Sequence, residues 1–261
     1  MADAADAPDL ERRFAGVARL LGEEGYARLR RARVAVVGIG GVGSWAAEAL
    51  ARCHVGAITL IDLDHIAESN TNRQIHALGD AYGRAKVVAM AERIAAIDPS
   101  CAVETVEEFA DEDNAARLVA GHDLVLDCID QASAKAALIA ACRALSIAVV
   151  TCGAAGGRID PTRLRQDDLA RVQGDPLLAS VRYRLRRRHG FPREGARAKR
   201  FGVAAIYSDE PIRAPQDCSP QARLACAGYG STVAVTGAMG FAACAFALQN
   251  LSAAPRSREP A

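Results

Sequence analysis

Val34-Ala-Val-Val-Gly-Ile-Gly-Gly-Val-Gly43 is the stretch on which the fold turns. A β-branched run of strand length, Val34 to Val37, leads into glycines 38, 40 and 43, and an alanine-rich helical pattern follows from Ser44 to about Cys53. Glycines at this spacing let the chain turn tightly and bring its backbone close to a phosphate. The helix that follows offers free N–H groups and a partial positive charge. A second buried strand, Ala57-Ile-Thr-Leu-Ile61, ends at Asp62, where a carboxylate can hold a ribose hydroxyl.

Outward from this unit the pattern repeats. A helix is expected from about Arg84 to Ile97, stopped by Asp98-Pro99. Strands are expected over Ala102–Val106, Asp123–Asp127 and Ile147–Thr151, with a helix from Ala132 to Leu145 between the last two. Strand-length apolar runs alternating with helices predict an α/β fold, a Rossmann-like, mostly parallel sheet with helices on both faces. Past Gly157 the character changes. Asp175-Pro176 reads as an N-cap and first helical residue, with Leu178, Val181 and Leu185 on one face. Opposite them Arg182, Arg184, Arg186, Arg187, Arg188, Arg193, Arg197, Lys199 and Arg200 accumulate, with Glu194 the only acid in that stretch. Phe201–Ile206 is a late strand candidate and Ser208–Gly228 a long loop.

The 261 residues are read as a single domain: an N-terminal helical arm (9–31), a nucleotide-binding core (32–155), a late basic helical insertion with a crossover loop (156–228) and a C-terminal packing helix (229–251). Apolar residues at 51%, charged residues at 24% and a net charge of +1 fit a globular chain with a sizeable core and exclude a disordered one or one drawn to polyanions by global charge. None of the eight cysteines forms a C-x-x-C pair, so no zinc clamp is expected. The acidic start is no signal peptide, and a reducing cytoplasm is the expected compartment. Leu224–Pro255 carries no charge, but its many glycine, serine and threonine residues suit a helix packed against a sheet better than a membrane span.

Two ligands fit the glycine cradle, NAD(P) and ATP. A triphosphate about to be attacked at phosphorus needs further cations and usually Mg²⁺. Arg73 and Lys86 follow the second strand and Asp130 follows the fourth, so strand ends in an open parallel sheet would bring them to one crevice. That set suits ATP with Mg²⁺ better than nicotinamide. Each has a plainer reading, as surface ion pair, solvated helix residue and helix N-cap.

Gly38–Gly43, Asp62-Leu-Asp64, Ser69-Asn-Thr-Asn-Arg-Gln74, Lys86 and Asp127-Cys-Ile-Asp130 together resemble the ThiF/MoeB/HesA superfamily of adenylating enzymes related to ubiquitin-activating enzyme. Gly43–Arg52, Asn70–Leu78, Lys135-Ala-Ala-Leu-Ile-Ala and Gly156-Gly-Arg-Ile-Asp-Pro161 resemble its tRNA threonylcarbamoyladenosine dehydratase branch. The resemblance implies ATP-dependent cyclisation of the threonylcarbamoyladenosine side chain in tRNA through an acyl adenylate. It implies ATP contacts from Gly38, Gly40, Gly41, Gly43, Asp62, Asp64, Asn70, Asn72, Arg73, Gln74, Lys86 and Asp130. Of these, Arg73, Lys86 and Asp130 would be catalytic, with Asp130 positioning Mg²⁺. Cys226 lies where relatives carry a nucleophilic cysteine, and is either a catalytic thiol or a spectator. A homodimer is implied, with Arg13 or Arg19 as candidates to enter a partner's site, and a sulfur-transfer protein is a possible further partner. The basic segment fits RNA phosphates independently, with Arg182, Arg186, Arg187, Arg188 and Arg193 as tRNA-binding candidates. The alternatives are adenylation of the C-terminus of a ubiquitin-like sulfur carrier, and an NAD(P)-binding oxidoreductase.

Overall fold

β-branched strands without a polar face must be covered on both sides, and the helices between them supply the cover. A computed structural model describes residues 8–193, 200–213 and 229–254. Its strands are β1 (Arg33–Val37), β2 (Ala57–Ile61), β3 (Ala102–Val106), β4 (Leu124–Asp127), β5 (Ala148–Cys152), β6 (Leu164–Asp168) and β7 (Ala204–Ser208). The helices are α1 (Leu10–Arg31), α2 (Gly43–Arg52), α3 (Lys86–Ile97), α4 (Ala115–Val119), α5 (Ala132–Ala144), α6 (Pro176–Arg188) and α7 (Val233–Ser252). The seven strands form one sheet in the order β3-β2-β1-β4-β5-β7-β6, and only β6 runs antiparallel to its neighbour.

Alternation along each strand divides the core in two. Val34 and Val36 of β1 face one layer with Leu50, Met90, Ile94 and Met239, under α2, α3 and α7. Ala35 and Val37 face the other with Leu138, Ile139, Leu178, Val181 and Leu185, under α5 and α6. The register places Val37 opposite both Ile61 and Asp127, and Asp127 opposite Thr151. Four parallel strands therefore finish level, and the residues that follow them open onto the same rim.

α7 is long and apolar enough, by length and composition, to cross a membrane. Its small residues have a packing reason: a Cβ on Gly240 would stand 2.6 Å from the Val42 carbonyl oxygen, so only glycine lets α7 approach α2 this closely.

The structure departs from expectation past residue 156. The segment read as an insertion and loop contributes two strands to the same sheet: β7, which overlaps the late strand expected over Phe201–Ile206, and β6, which is not expected. β6, Leu-Arg-Gln-Asp-Asp, leaves no strand signal in the sequence because it lies at the edge, with Arg165 and Gln166 exposed and no apolar alternation to betray it. Cys226, Arg197 and Lys199, and the loop over 214–228, lie outside the described residues.

Candidate active site

Gly38 adopts φ +87°, and a Cβ there would press on Ile129 Cγ2 at 2.8 Å, so the tight turn after β1 demands glycine. Gly40 and Gly41 line a cavity of about 610 Å³. Gly43 does not. A Cβ there would stand 1.8 Å from the Gly38 carbonyl oxygen, so this glycine lets α2 pack onto the turn.

The same cavity is lined by Asp62 and Asp64 after β2, Asn70, Asn72, Arg73 and Gln74 from the following loop, Lys86 at the start of α3, and Asp130 after β4. Residues far apart in the chain thus converge on the carboxyl ends of the strands. Asp62 accepts hydrogen bonds from the Ile39 N–H (2.6 Å) and the Asp64 N–H (2.8 Å), which fixes it beneath the glycine turn. Burial pushes its carboxyl upward and the nearby Lys86 charge opposes that. Lys86, buried along its stem, donates to Asp64 Oδ2 at 2.7 Å and lies 3.8 Å from Asp62 Oδ1.

The Arg73 guanidinium is held by the Ser69 carbonyl (2.8 Å) and Asn72 Oδ1 (2.9 Å), while its own carbonyl accepts from the Trp45 indole at 2.9 Å. Asn72 in turn donates to the Ser231 carbonyl at 2.8 Å. Asn70 Oδ1 caps its own turn by accepting from the Ala67 N–H. Gln74 Oε1 is buried with no partner among the described residues, an acceptor inside the cavity wall.

Asp130 sits on a loop secured from below. Lys135, fully buried in α5, donates to Asp127 Oδ1 (3.0 Å) and to the carbonyls of Asp127 (3.2 Å) and Ile129 (2.9 Å); Thr151 donates to Asp127 Oδ2 at 2.6 Å. All three ammonium protons are used, so the buried charge is paired and the loop backbone has one position. The sequence offers Lys135 only as part of a string. Ser69, Glu108, Phe109, Gln131, Ala154, Leu177, Ser231 and Thr236 also line the cavity, and sequence reasoning misses their part in it. Glu108 and Phe109 arrive because β3 neighbours β2, which sequence order alone does not reveal.

Beyond the cavity, α6 carries the basic set, and part of it is engaged within the molecule. Arg188 pairs with Glu112 at 3.1 Å, Arg186 donates to the Pro192 carbonyl and lies over the Phe201 ring, and Arg187 donates to the Tyr183 hydroxyl at 2.6 Å. Arg187, Arg188 and Arg193 are exposed, while Arg182 and Arg186 are half-buried. Arg13 donates to the Ile97 carbonyl in its own chain.

The model of the ThiF family matches residues 11–257. The chain belongs to the ThiF family. Among ThiF proteins, tRNA threonylcarbamoyladenosine dehydratase of Escherichia coli (strain K12) is 46% identical over 253 residues, covering 92% of this chain and 94% of that protein. The Bacillus subtilis protein of the same name is 39% identical, covering 76% and 75%. Molybdopterin-synthase adenylyltransferase of Salmonella typhimurium is 35% identical, covering 60% of this chain and 66% of that protein. The crystal structure of the E. coli dehydratase, TcdA, in complex with AMP superposes with a TM-score of 0.86 at 45% identity, covering 94% of this chain and 96% of that one. Its complex with ATP gives 0.85.

Proposed function

We propose that this ThiF protein uses ATP to cyclise the threonylcarbamoyladenosine side chain of tRNA with loss of water. The observation that carries the reading is the joining, in one cavity, of a glycine turn, a ribose-height carboxylate (Asp62), two fixed cations (Arg73 and Lys86) and a further carboxylate (Asp130). The close relatives carrying the dehydratase name support the substrate class.

A carboxylate does not cyclise readily at neutral pH because hydroxide leaves poorly. Attack of the threonine carboxylate on the α-phosphorus of ATP expels pyrophosphate and gives a mixed anhydride. A nucleophile in the same side chain then attacks the activated carbonyl at high effective concentration, AMP departs and the ring closes. In this reading Gly38, Gly40 and Gly41 let the nucleotide approach the backbone, Asp62 holds the ribose, and Gln74 donates its side-chain amide N–H to the phosphates. Asn70 and Asn72 shape the loop that presents Arg73, and Asp64 holds the Lys86 ammonium toward the phosphates. Both cations are pre-fixed, so they stabilise charge on the transferring phosphorus with little reorganisation. Mg²⁺ fits the donor set, since it binds through phosphate oxygens and water with one protein carboxylate, here Asp130; it would neutralise the departing pyrophosphate. Cys226 has no step in this chemistry and serves as a spectator thiol.

The exposed arginines of α6 suit tRNA phosphates. A homodimer in the cytoplasm, with a sulfur-transfer protein as an additional partner, belongs to the same reading; light scattering of the purified protein checks the dimer. Adenylation of a sulfur carrier's C-terminus is set aside, since the relatives of higher identity and coverage carry the dehydratase name, and NAD(P) chemistry is set aside, since it has no need of the paired cations. The test is mass analysis of nucleosides from modified tRNA treated with the protein and ATP–Mg²⁺. The expected result is conversion of threonylcarbamoyladenosine to a product lighter by one water. An unchanged nucleoside alongside pyrophosphate exchange driven by a carrier protein would reverse the assignment.

A further inference from the structure

The cavity has two unlike halves. On the β1–β2 side its lining is charged or strongly polar: Asp62, Asp64, Arg73 and Lys86. On the β5 side it is small and uncharged: Gly153, Ala154, Ala155 and Gly156, faced by Leu177 in the first turn of α6. The second wall is built rigidly. Arg158, fully buried, bonds the Ala154 carbonyl, the Gly174 carbonyl (3.2 Å), the Glu210 carbonyl (3.2 Å) and Asp175 Oδ2 (3.2 Å). Asp175 also accepts from the Ala154 N–H (3.0 Å) and caps α6 through the Leu178 N–H (2.9 Å). One buried ion pair thus locks the 153–156 loop to the start of α6. The same helix leads from the cavity to the exposed arginines: Leu177 and Arg187 are ten residues apart, about 15 Å along the axis.

We propose that the uncharged half is the acceptor subsite, taking a purine base with its acyl arm from a polynucleotide whose backbone runs along α6. In-line attack requires the acid to reach the α-phosphorus from the side opposite the leaving pyrophosphate. A nucleotide held at Asp62 with its phosphates at the glycine turn and the two cations leaves the β5 side for the acid. Neutral, small walls accept a flat base without leaving buried charge unpaired. The inference rests on the proposed reaction and extends it to where the second substrate lies.

The experiment measures two quantities on Leu177→Trp and, separately, on the milder Leu177→Phe, both at a half-buried position: the Kd for ATP–Mg²⁺, and kcat and KM for cyclisation of threonylcarbamoyladenosine-bearing tRNA. Narrowing the slot should raise KM for tRNA at least about tenfold while the ATP Kd moves less than about twofold. A tRNA KM equal to that of the wild type overturns the subsite, as does a fall in ATP affinity that matches the loss of turnover. If the wild-type protein itself leaves the tRNA nucleoside unchanged, it is the reaction that fails, and the two failures are distinguishable.

Discussion

Asp130 stands where β4 gives way to α5, on a loop whose backbone is pinned by Lys135. If it positions the metal-bound pyrophosphate, Asp130→Asn should lower kcat about 10²–10³-fold with the melting temperature preserved, because the side chain is exposed at the cavity and carries no core packing. Steady-state kinetics beside a thermal melt check this. His76 presents the opposite case. It is buried with neither ring nitrogen bonded among the described residues, and burial, aided by Lys86 and Arg93, drives its imidazole down to about 4. The unfolded chain binds this proton below about pH 6.5 and the folded one does not until about pH 4, so stability falls as pH drops through that window. The loss amounts to about 3 kcal/mol for a shift of this size. Urea unfolding at pH 7.5 and 4.5 should show a smaller acid loss in His76→Leu than in the wild type. Equal losses would place the titration elsewhere.

At the scale of the element, α6 joins two jobs, since its first turn lines the cavity and its last carries arginines. Replacing exposed Arg187 and Arg193 together by alanine should weaken tRNA binding about evenly across sequences and flatten the salt dependence by about one unit of slope for each phosphate left without its cation. Filter binding at several salt concentrations reads this; an unaltered slope would move the RNA surface off α6 and the residues that follow it. The start of α6 is legible because Asp175-Pro176 is a local signal, and Leu178, Val181 and Leu185 repeat at helical spacing. Glu112, which neutralises Arg188, is not, because it arrives from a loop 76 residues earlier. Lys135 and Arg158 are equally hidden. Their charge suggests a surface, and only the fold shows that both heads are paired inside the core.

For the whole molecule, the central strands and the residues that follow them can be read from short runs, since strands buried on both faces are written as uninterrupted apolar segments. What sequence withholds is lateral order: that β3 flanks β2, and that β6 and β7 extend the sheet past β5. A ligand bridging residues from several strand ends links all of these to stability. ATP–Mg²⁺ at about 100 times its Kd should add about 2.7 kcal/mol to unfolding, seen as a raised melting temperature, while NAD at equal concentration should leave it unmoved. A larger shift with NAD would return the chain to dinucleotide chemistry.

The two outermost strands share a trait. β3 exposes Glu104 and Thr105, and β6 exposes Arg165 and Gln166 while running against its neighbour. Any second molecule trying to zip its own backbone onto either rim would meet a charged side chain, Glu104 on β3 or Arg165 on β6. Charge placed on both rims disfavours growth of the ladder beyond the seventh strand, although so much of the interior is of the apolar, β-branched type that would otherwise extend it.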